Sequence, residues 1–175
     1  MKKFLVIGNP IDHTLSPELH NYWIKKNNIE AIYEKKLLEE KELKSLCNEV
    51  REGKIDGFNV TVPFKEKIIK YMDILSEDAL NSKAVNTVYK QSKNGKNILL
   101  GDNTDIYGFK SSLSILFSFK KSIRRGAIIL GAGGASRAII IALGHLGIGA
   151  FAIINRTKDN ATKLMQEIDP ENYDP

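Results

Sequence analysis

Apolar and polar positions change period several times along this chain, and the changes divide it into short elements. Phe4 to Gly8 is an apolar run closed by Asn9-Pro10, the pattern of a buried strand entering a loop. Ser16-Pro17-Glu18 predicts a helix start, with Ser16 at the cap, proline at the first helical position and an acid in the first turn. Leu19, Tyr22, Trp23 and Ile24 give that helix an apolar face. Ala31 to Leu38 predicts a second strand, and Glu39 to Glu52 a charged amphipathic helix ending at Gly53. Asp56 to Val62 predicts a third strand, which Pro63 stops. Helical pieces are expected over Phe64 to Met72 and Glu77 to Ser82. Ala84 to Tyr89 and Ile98 to Leu100 predict two strands joined by the turn residues Ser92 to Asn97. Asp105 to Phe119 predicts a helix with Phe109, Leu113, Leu116 and Phe117 on one side.

Lys120 to Arg125 is basic and without period, and the domain boundary is expected there, giving domains 1–120 and 121–175. Beyond it the register changes. Ala127 to Leu130 is an apolar strand, Gly131 to Ser136 a glycine-rich turn, and Arg137 to Leu146 a helix of low charge. Ala150 to Ile154 is a second apolar strand, and Lys158 to Ile168 a last helix ended by Asp169-Pro170. This βαβα order argues a parallel sheet. A dinucleotide-binding domain needs two such halves. With only one present, the sequence is expected to be short of a complete two-domain enzyme.

Composition changes this picture little. Hydrophobic residues make up 42% and charged residues 27%, ordinary for a globular protein. The net charge of +5 is spread out. It suits an anionic small molecule, and without clustering it argues against a nucleic-acid partner. Cys47 is the single cysteine, so no internal disulfide forms, as expected of a reducing cytoplasm. Its stripe with Leu43, Leu46 and Val50 predicts a buried small hydrophobe, not a nucleophile. No apolar run is long enough for a membrane span and no signal peptide is visible. A cytoplasmic setting is therefore expected, with no membrane partner and no metal. A homodimer is left open.

The glycine-rich turn carries the first chemistry. Gly131-Ala132-Gly133-Gly134-Ala135-Ser136 follows a strand and opens a helix. Gly131 suits the tight turn, Gly133 lets the backbone approach a pyrophosphate, and the helix start offers amide donors. Ser136 replaces the last glycine of the usual pattern, which weakens the signal; the surrounding βαβ unit restores it. At the end of the second strand stands Asn155-Arg156-Thr157-Lys158. A carboxylate there would select NAD, whereas Arg156 can grip a 2′-phosphate in bidentate fashion, so NADP is expected.

Polar clusters interrupt the first domain: Thr14 and Ser16; Asn59, Thr61 and Lys65; Asn86; and Asp102 to Asp105. Most fall at or just past strand ends, where open α/β sheets bind ligands. Hydroxyls, amides, one lysine and one or two carboxylates suit a small polyhydroxylated acid. Each has a plainer reading as a loop hydroxyl, a strand-end amide or a surface ion pair. The stretch Val6 to Pro17 (VIGNPIDHTLSP) resembles the opening of the shikimate dehydrogenases, and Asn59 to Lys65 (NVTVPFK) resembles their most distinctive motif. Ala84 to Thr87, Gly101 to Asp105, Gly131 to Arg137 and Asn155 to Thr157 continue the match in order.

That resemblance implies an N-terminal three-layer α/β substrate domain followed by the first βαβα half of a Rossmann NADP domain. It implies NADPH-dependent reduction of 3-dehydroshikimate to shikimate, in the route to chorismate and the aromatic amino acids. Thr14 and Ser16 would hold the shikimate carboxylate, with Asn59 near it. Thr61, Asn86 and Asp105 would hold ring hydroxyls. Lys65 would be the acid/base with Asp105 beside it, Asp102 being the less suited acid by position. Gly131, Ala132, Gly133, Gly134, Ala135, Asn155, Arg156, Thr157 and Lys158 would line the cofactor. Ile106 departs from the family, which usually has glycine after the aspartate, and this puts the local turn in question. The family also carries a further glutamine and a nicotinamide-contacting loop in segments not found here, so this chain alone is expected to be poorly active or inactive. The rival readings are a quinate/shikimate dehydrogenase and a non-catalytic shikimate-binding module.

Overall fold

In a computed structural model of the chain, residues 1–93, 95–117 and 126–168 are described, without the side chains of residues 93 and 114–117. Two compact units make up the chain, Met1–Asn103 and Thr104–Pro175. The stretch 120–125, where the sequence places the domain boundary, lies outside the described residues.

The first unit is built on a mixed sheet. Its strands are β1 (Lys2–Gly8), β2 (Ala31–Leu37), β3 (Gly57–Val60), β4 (Ile74–Leu75), β5 (Thr87–Lys93) and β6 (Lys96–Asp102). Their order is β2-β1-β3-β5-β6-β4, with β5 antiparallel to both of its neighbours and the other pairings parallel. Alternation of side chains along β1 divides the core between two faces. Leu5 and Ile7 join Phe58, Val60 and Val88 under helix α2 (Leu43–Arg51), whose Leu43, Leu46, Cys47 and Val50 are all buried. Burial of each such aliphatic side chain is worth about 1.5–3 kcal/mol. Phe4 and Val6 face the other way, toward Tyr33 and Ile24 of helix α1 (Ser16–Lys26). With the short helix α3 (Glu77–Ser82), this gives the expected three layers.

Four local expectations are corrected. Ser16 is the first helical residue and not the cap: Leu15 holds that position and no side chain caps the helix. The apolar face of α1 is turned, because His20 and Ile24, one turn apart, look at the sheet, while Leu19, Tyr22 and Trp23 are about half exposed. Phe64 to Met72 is a series of turns ending in the 3₁₀ segment Ile69–Tyr71. Its buried Phe64 and Ile68 sit four residues apart and mimic a helical period. The hairpin is also longer than expected, pairing out to Lys93 and Lys96 around Gly95 at φ +75°.

The second unit holds α4 (Thr104–Phe117), β7 (Ala127–Leu130), α5 (Gly134–His145), β8 (Phe151–Ile154) and α6 (Lys158–Ile168). β7 and β8 pair in parallel, Ala127 opposite Phe151. Ile129, Ile140, Leu143, Ile148 and Leu164 form its core, with Phe109 and Leu113 of α4 against it. The βαβα expectation holds. Among the described residues no helix is long and apolar enough to cross a membrane.

Candidate functional site

Strand direction gathers the polar clusters of the first unit. β1 and β3 run parallel, so their carboxyl ends lie together. β5 returns antiparallel, which brings its first residues to that same end, and β6 runs back to finish there at Asp102. Thr14 and Ser16 follow β1, Thr61 and Lys65 follow β3, Asn86 precedes β5 and Asp102 closes β6. One sheet edge thus collects residues spread over some ninety positions of sequence (14 to 102).

The loop after β1 brings two hydroxyls together. Thr14 Oγ1 donates to Ser16 Oγ at 3.1 Å and accepts from the Ser16 amide at 3.3 Å. Both residues are half-buried at the start of α1, where helix amides add positive potential. Neutral donors at a helix start suit an anion such as a carboxylate.

The loops after β1 and β3 are tied to each other. The Thr61 amide donates to the Ile7 carbonyl at 2.9 Å, and the Asn9 amide to the Val62 carbonyl at 3.0 Å. This approach requires Gly8, since a Cβ there would lie 2.6 Å from Thr61 Cγ2. Two residues past Pro63, Lys65 is half-buried and its carbonyl accepts from the Val85 amide at 2.8 Å, beside Asn86.

Asn59 and Asn86 belong to one hydrogen-bonded chain. The Tyr33 hydroxyl donates to Asn59 Oδ1 at 2.6 Å. Asn59 Nδ2 donates to the Asn86 carbonyl at 3.2 Å and to Thr87 Oγ1 at 3.1 Å. Thr87 Oγ1 donates to Asn86 Oδ1 at 2.9 Å. Asn59 and Thr87 are direct cross-strand partners in the β3–β5 register, which explains the close contact. Asn86 is buried, and its amide donates to the Asp102 carbonyl at 2.9 Å.

The acids separate by environment. Asp102 Oδ1 accepts from Ser76 Oγ at 2.5 Å and from the Asn103 amide at 2.8 Å, a structural role at the strand end. Asp105 lies in the second unit, half-buried in the first turn of α4. Ile106, where the resemblance implies glycine, is 1% exposed and packs with Phe109, Ala138, Ile141 and Ala142 between α4 and α5. Its backbone is helical, so the turn expected to suffer from a β-branched residue is absent, and the side chain serves as core.

The glycine turn is shaped as its sequence suggests. Gly131 adopts φ +106°, a region that favours glycine. Its amide donates to the Ile154 carbonyl at 2.8 Å, joining the ends of β7 and β8. A Cβ on Gly131, Gly133 or Gly134 would meet nothing within 4 Å, so the backbone there faces open space. Ser136, the substitute for glycine, is buried and its hydroxyl donates to the Gly131 carbonyl at 2.9 Å, closing the turn. Asn155 Oδ1 accepts from the Ala132 amide at 3.2 Å while its Nδ2 donates to the Thr157 carbonyl at 2.7 Å. Asn155 therefore braces the loop, while Arg156, Thr157 and Lys158 stand exposed at the end of β8. The first turn of α5 carries no acid. Bare amides, an open glycine surface and an exposed arginine fit a dinucleotide with a 2′-phosphate.

Sequence reasoning missed Tyr33 and Thr87 as parts of this hydrogen-bonded chain. Tyr33 stands on β2, two strands from Asn59, so no spacing rule links them. Thr87 ends the stretch Ala84 to Thr87, and its place opposite Asn59 follows only from the strand register.

A mixed α/β unit with polar groups gathered at one sheet edge, followed by a glycine-turn βαβα unit, is the architecture of the α/β dehydrogenases. Residues 6–88 match the shikimate dehydrogenase substrate binding domain. Over 163 residues the chain is 52% identical to the shikimate dehydrogenase (NADP(+)) of Pelagibacter ubique, covering 93% of this chain and 59% of that protein. It is 43% identical over 162 residues to the enzyme of the same name from Aquifex aeolicus, covering 93% and 58%. The shikimate 5-dehydrogenase of Thermus thermophilus, solved in complex with NADP(H) and shikimate, superposes with a TM-score of 0.82 at 35% identity, covering 96% of this chain and 61% of that one. Over most of its length the chain is similar to shikimate dehydrogenases, and it spans about three-fifths of the length of these relatives.

Proposed function

We propose that this chain supplies the shikimate-binding domain and the first half of the NADP-binding domain of a shikimate dehydrogenase. The reaction is the reversible reduction of 3-dehydroshikimate to shikimate. The observation that carries the reading is the Thr14–Ser16 hydroxyl pair, set at the same sheet edge as Thr61, Lys65 and Asn86. Thr14 and Ser16 bind the carboxylate as neutral donors, and Asn59 holds the neighbouring amide network in place. Thr61, Asn86 and Asp105 take the ring hydroxyls.

Bound NADPH supplies the hydride to the carbonyl carbon. Lys65 Nζ gives a proton to the oxygen that becomes the hydroxyl, and while cationic it stabilises the negative charge developing there. In the oxidising direction the same nitrogen takes the proton back. Asp105 is proposed as the carboxylate partner of Lys65 on the strength of motif order. Main-chain amides of the turn Gly131 to Ala135 hold the pyrophosphate, and Arg156, with Thr157 and Lys158, takes the 2′-phosphate. Cytoplasmic action and homodimerisation belong to the same proposal.

The test is NADP-dependent oxidation of shikimate, followed by absorbance of the reduced cofactor. It is run on the product of the complete reading frame beside the 175-residue chain. Turnover by the former, and little or none by the latter, is expected. A Lys65→Ala enzyme should lose about 10²–10⁴-fold in rate. Turnover of quinate with NAD in preference to shikimate with NADP would replace this reading with the quinate enzyme. Tight shikimate binding without turnover would replace it with a binding module.

A further inference from the structure

We propose that Tyr33 is a positioning residue for the substrate-binding amide Asn86, acting through Asn59 and Thr87. The inference rests on the shikimate reading above and extends it to a residue outside the motifs that carry that reading.

Each link fixes the sense of the next. The phenol O–H of Tyr33 is given to Asn59 Oδ1, so the amide nitrogen of Asn59 must turn to the opposite side. That nitrogen donates to the Asn86 carbonyl and to Thr87 Oγ1. With its oxygen receiving this N–H, the Thr87 hydroxyl spends its own proton on Asn86 Oδ1. The carboxamide of Asn86 is thereby held with oxygen toward Thr87 and its NH₂ edge on the other side. A carboxamide without such a chain exchanges oxygen and nitrogen edges by a half-turn, and a ligand oxygen would meet a donor in one state and an acceptor in the other.

Tyr33 is itself held on all sides. It is 4% exposed. Its ring stacks on the His20 imidazole at 4.1 Å between centroids and 5° between planes. Its backbone is gripped by one side chain: Asn21 Nδ2 donates to the Tyr33 carbonyl at 2.8 Å, and the Tyr33 amide donates to Asn21 Oδ1 at 3.0 Å. His20 and Asn21 belong to α1, the helix that begins at Ser16. The carboxylate loop and the Asn86 amide are therefore set by the two ends of one rigid path, α1 to Tyr33 to Asn59 to Thr87.

The experiment uses the product of the complete reading frame. Steady-state constants for shikimate and NADP are measured for the wild type, Tyr33→Phe, Thr87→Val and Thr87→Ser, and each of the first two substitutions is repeated in an Asn86→Ala background. Tyr33→Phe and Thr87→Val should each raise KM for shikimate about 5–30-fold, the loss expected when a buried acceptor is left unmet, with kcat and KM for NADP within about threefold. Thr87→Ser keeps the hydroxyl and should restore the wild-type KM. In the Asn86→Ala background neither substitution should matter further, because non-additivity marks residues acting through one another. An equal KM increase with and without Asn86 would overturn the proposal, as would a Tyr33→Phe enzyme identical to wild type. The side-chain amide resonances of Asn86 give a reading independent of turnover: Tyr33→Phe should move them, and unchanged resonances would also overturn it. Absence of shikimate turnover in the wild type would instead count against the functional reading alone.

Discussion

Gly8 and Thr61 touch across the ends of β1 and β3: a Cβ on Gly8 would stand 2.6 Å from the Thr61 methyl and 3.0 Å from the Val62 carbonyl oxygen. The absent side chain lets the loops after β1 and β3 share one sheet edge. Gly8→Ala should cost about 1–3 kcal/mol through overpacking and, in the proposed function, should also raise KM for shikimate in the product of the complete reading frame, because Thr61 is the group pushed aside. Urea unfolding and shikimate kinetics on the same preparation check both. A variant that loses stability with unchanged KM would show that Thr61 plays no part in binding.

Ile106 tests the second unit. Truncation to alanine should cost about 2–4 kcal/mol, since the side chain is buried between α4 and α5. Ile106→Gly should cost about 1 kcal/mol more through helix propensity. Thermal or urea denaturation of the three proteins orders them.

Arg156 sets cofactor choice in the proposed function. Arg156→Ala should raise KM for NADP about 10–100-fold, the range of a lost charge-assisted contact, while leaving KM for NAD within about twofold. Equal effects on the two cofactors would assign Arg156 to the pyrophosphate or to the fold.

Cys47 should be inert in the native state. Burial pushes its thiol up to about 11, with the nearby Arg51 charge opposing, so little thiolate forms at pH 8. A thiol reagent should label it only on unfolding, and rapid labelling of the folded protein at pH 8 would contradict its place in the core.

Asp56 contributes to the acid limb of stability. Its carboxylate accepts from the Lys3 amide at 2.9 Å and faces Lys90 Nζ at 3.4 Å, which holds it below the usual carboxylate range, against a smaller opposing effect of burial. A lowered folded value gives stability that is full above the ordinary aspartate pKa and lost as pH falls through the folded value. Asp56→Asn should therefore be less stable at neutral pH and converge on wild type in acid, measured as unfolding midpoints from pH 7 to pH 2.

Much of this was legible in the sequence. The strands β7 and β8, the helix α6 and the buried stripe of α2 follow from apolar period alone. The motif residues Thr14, Thr61, Lys65 and Asn86 announce themselves as polar groups at strand ends. What stayed hidden depended on register or on context. Ser16 looked like a cap because serine before proline usually is one, yet Leu15 takes that place. Phe64 and Ile68 matched a helical period over a single turn, too short to distinguish from turns. The two-residue strand β4 carries no period at all. Ile106 looked like a strained turn residue until the start of α4 at Thr104 placed it in a helix. Tyr33 could not be tied to Asn59 before the order β2-β1-β3 was known.

The two hydrogen bonds from Asn21 to Tyr33 have a consequence outside binding. Among the described residues β2 lies at the edge of its sheet, the position from which a strand can recruit one from another molecule. Asn21 occupies the outward amide and carbonyl of Tyr33, at the middle of that edge, and Glu34, Lys35 and Lys36 place charge on the residues that follow. The side chain that steadies the tyrosine also covers the middle of that edge.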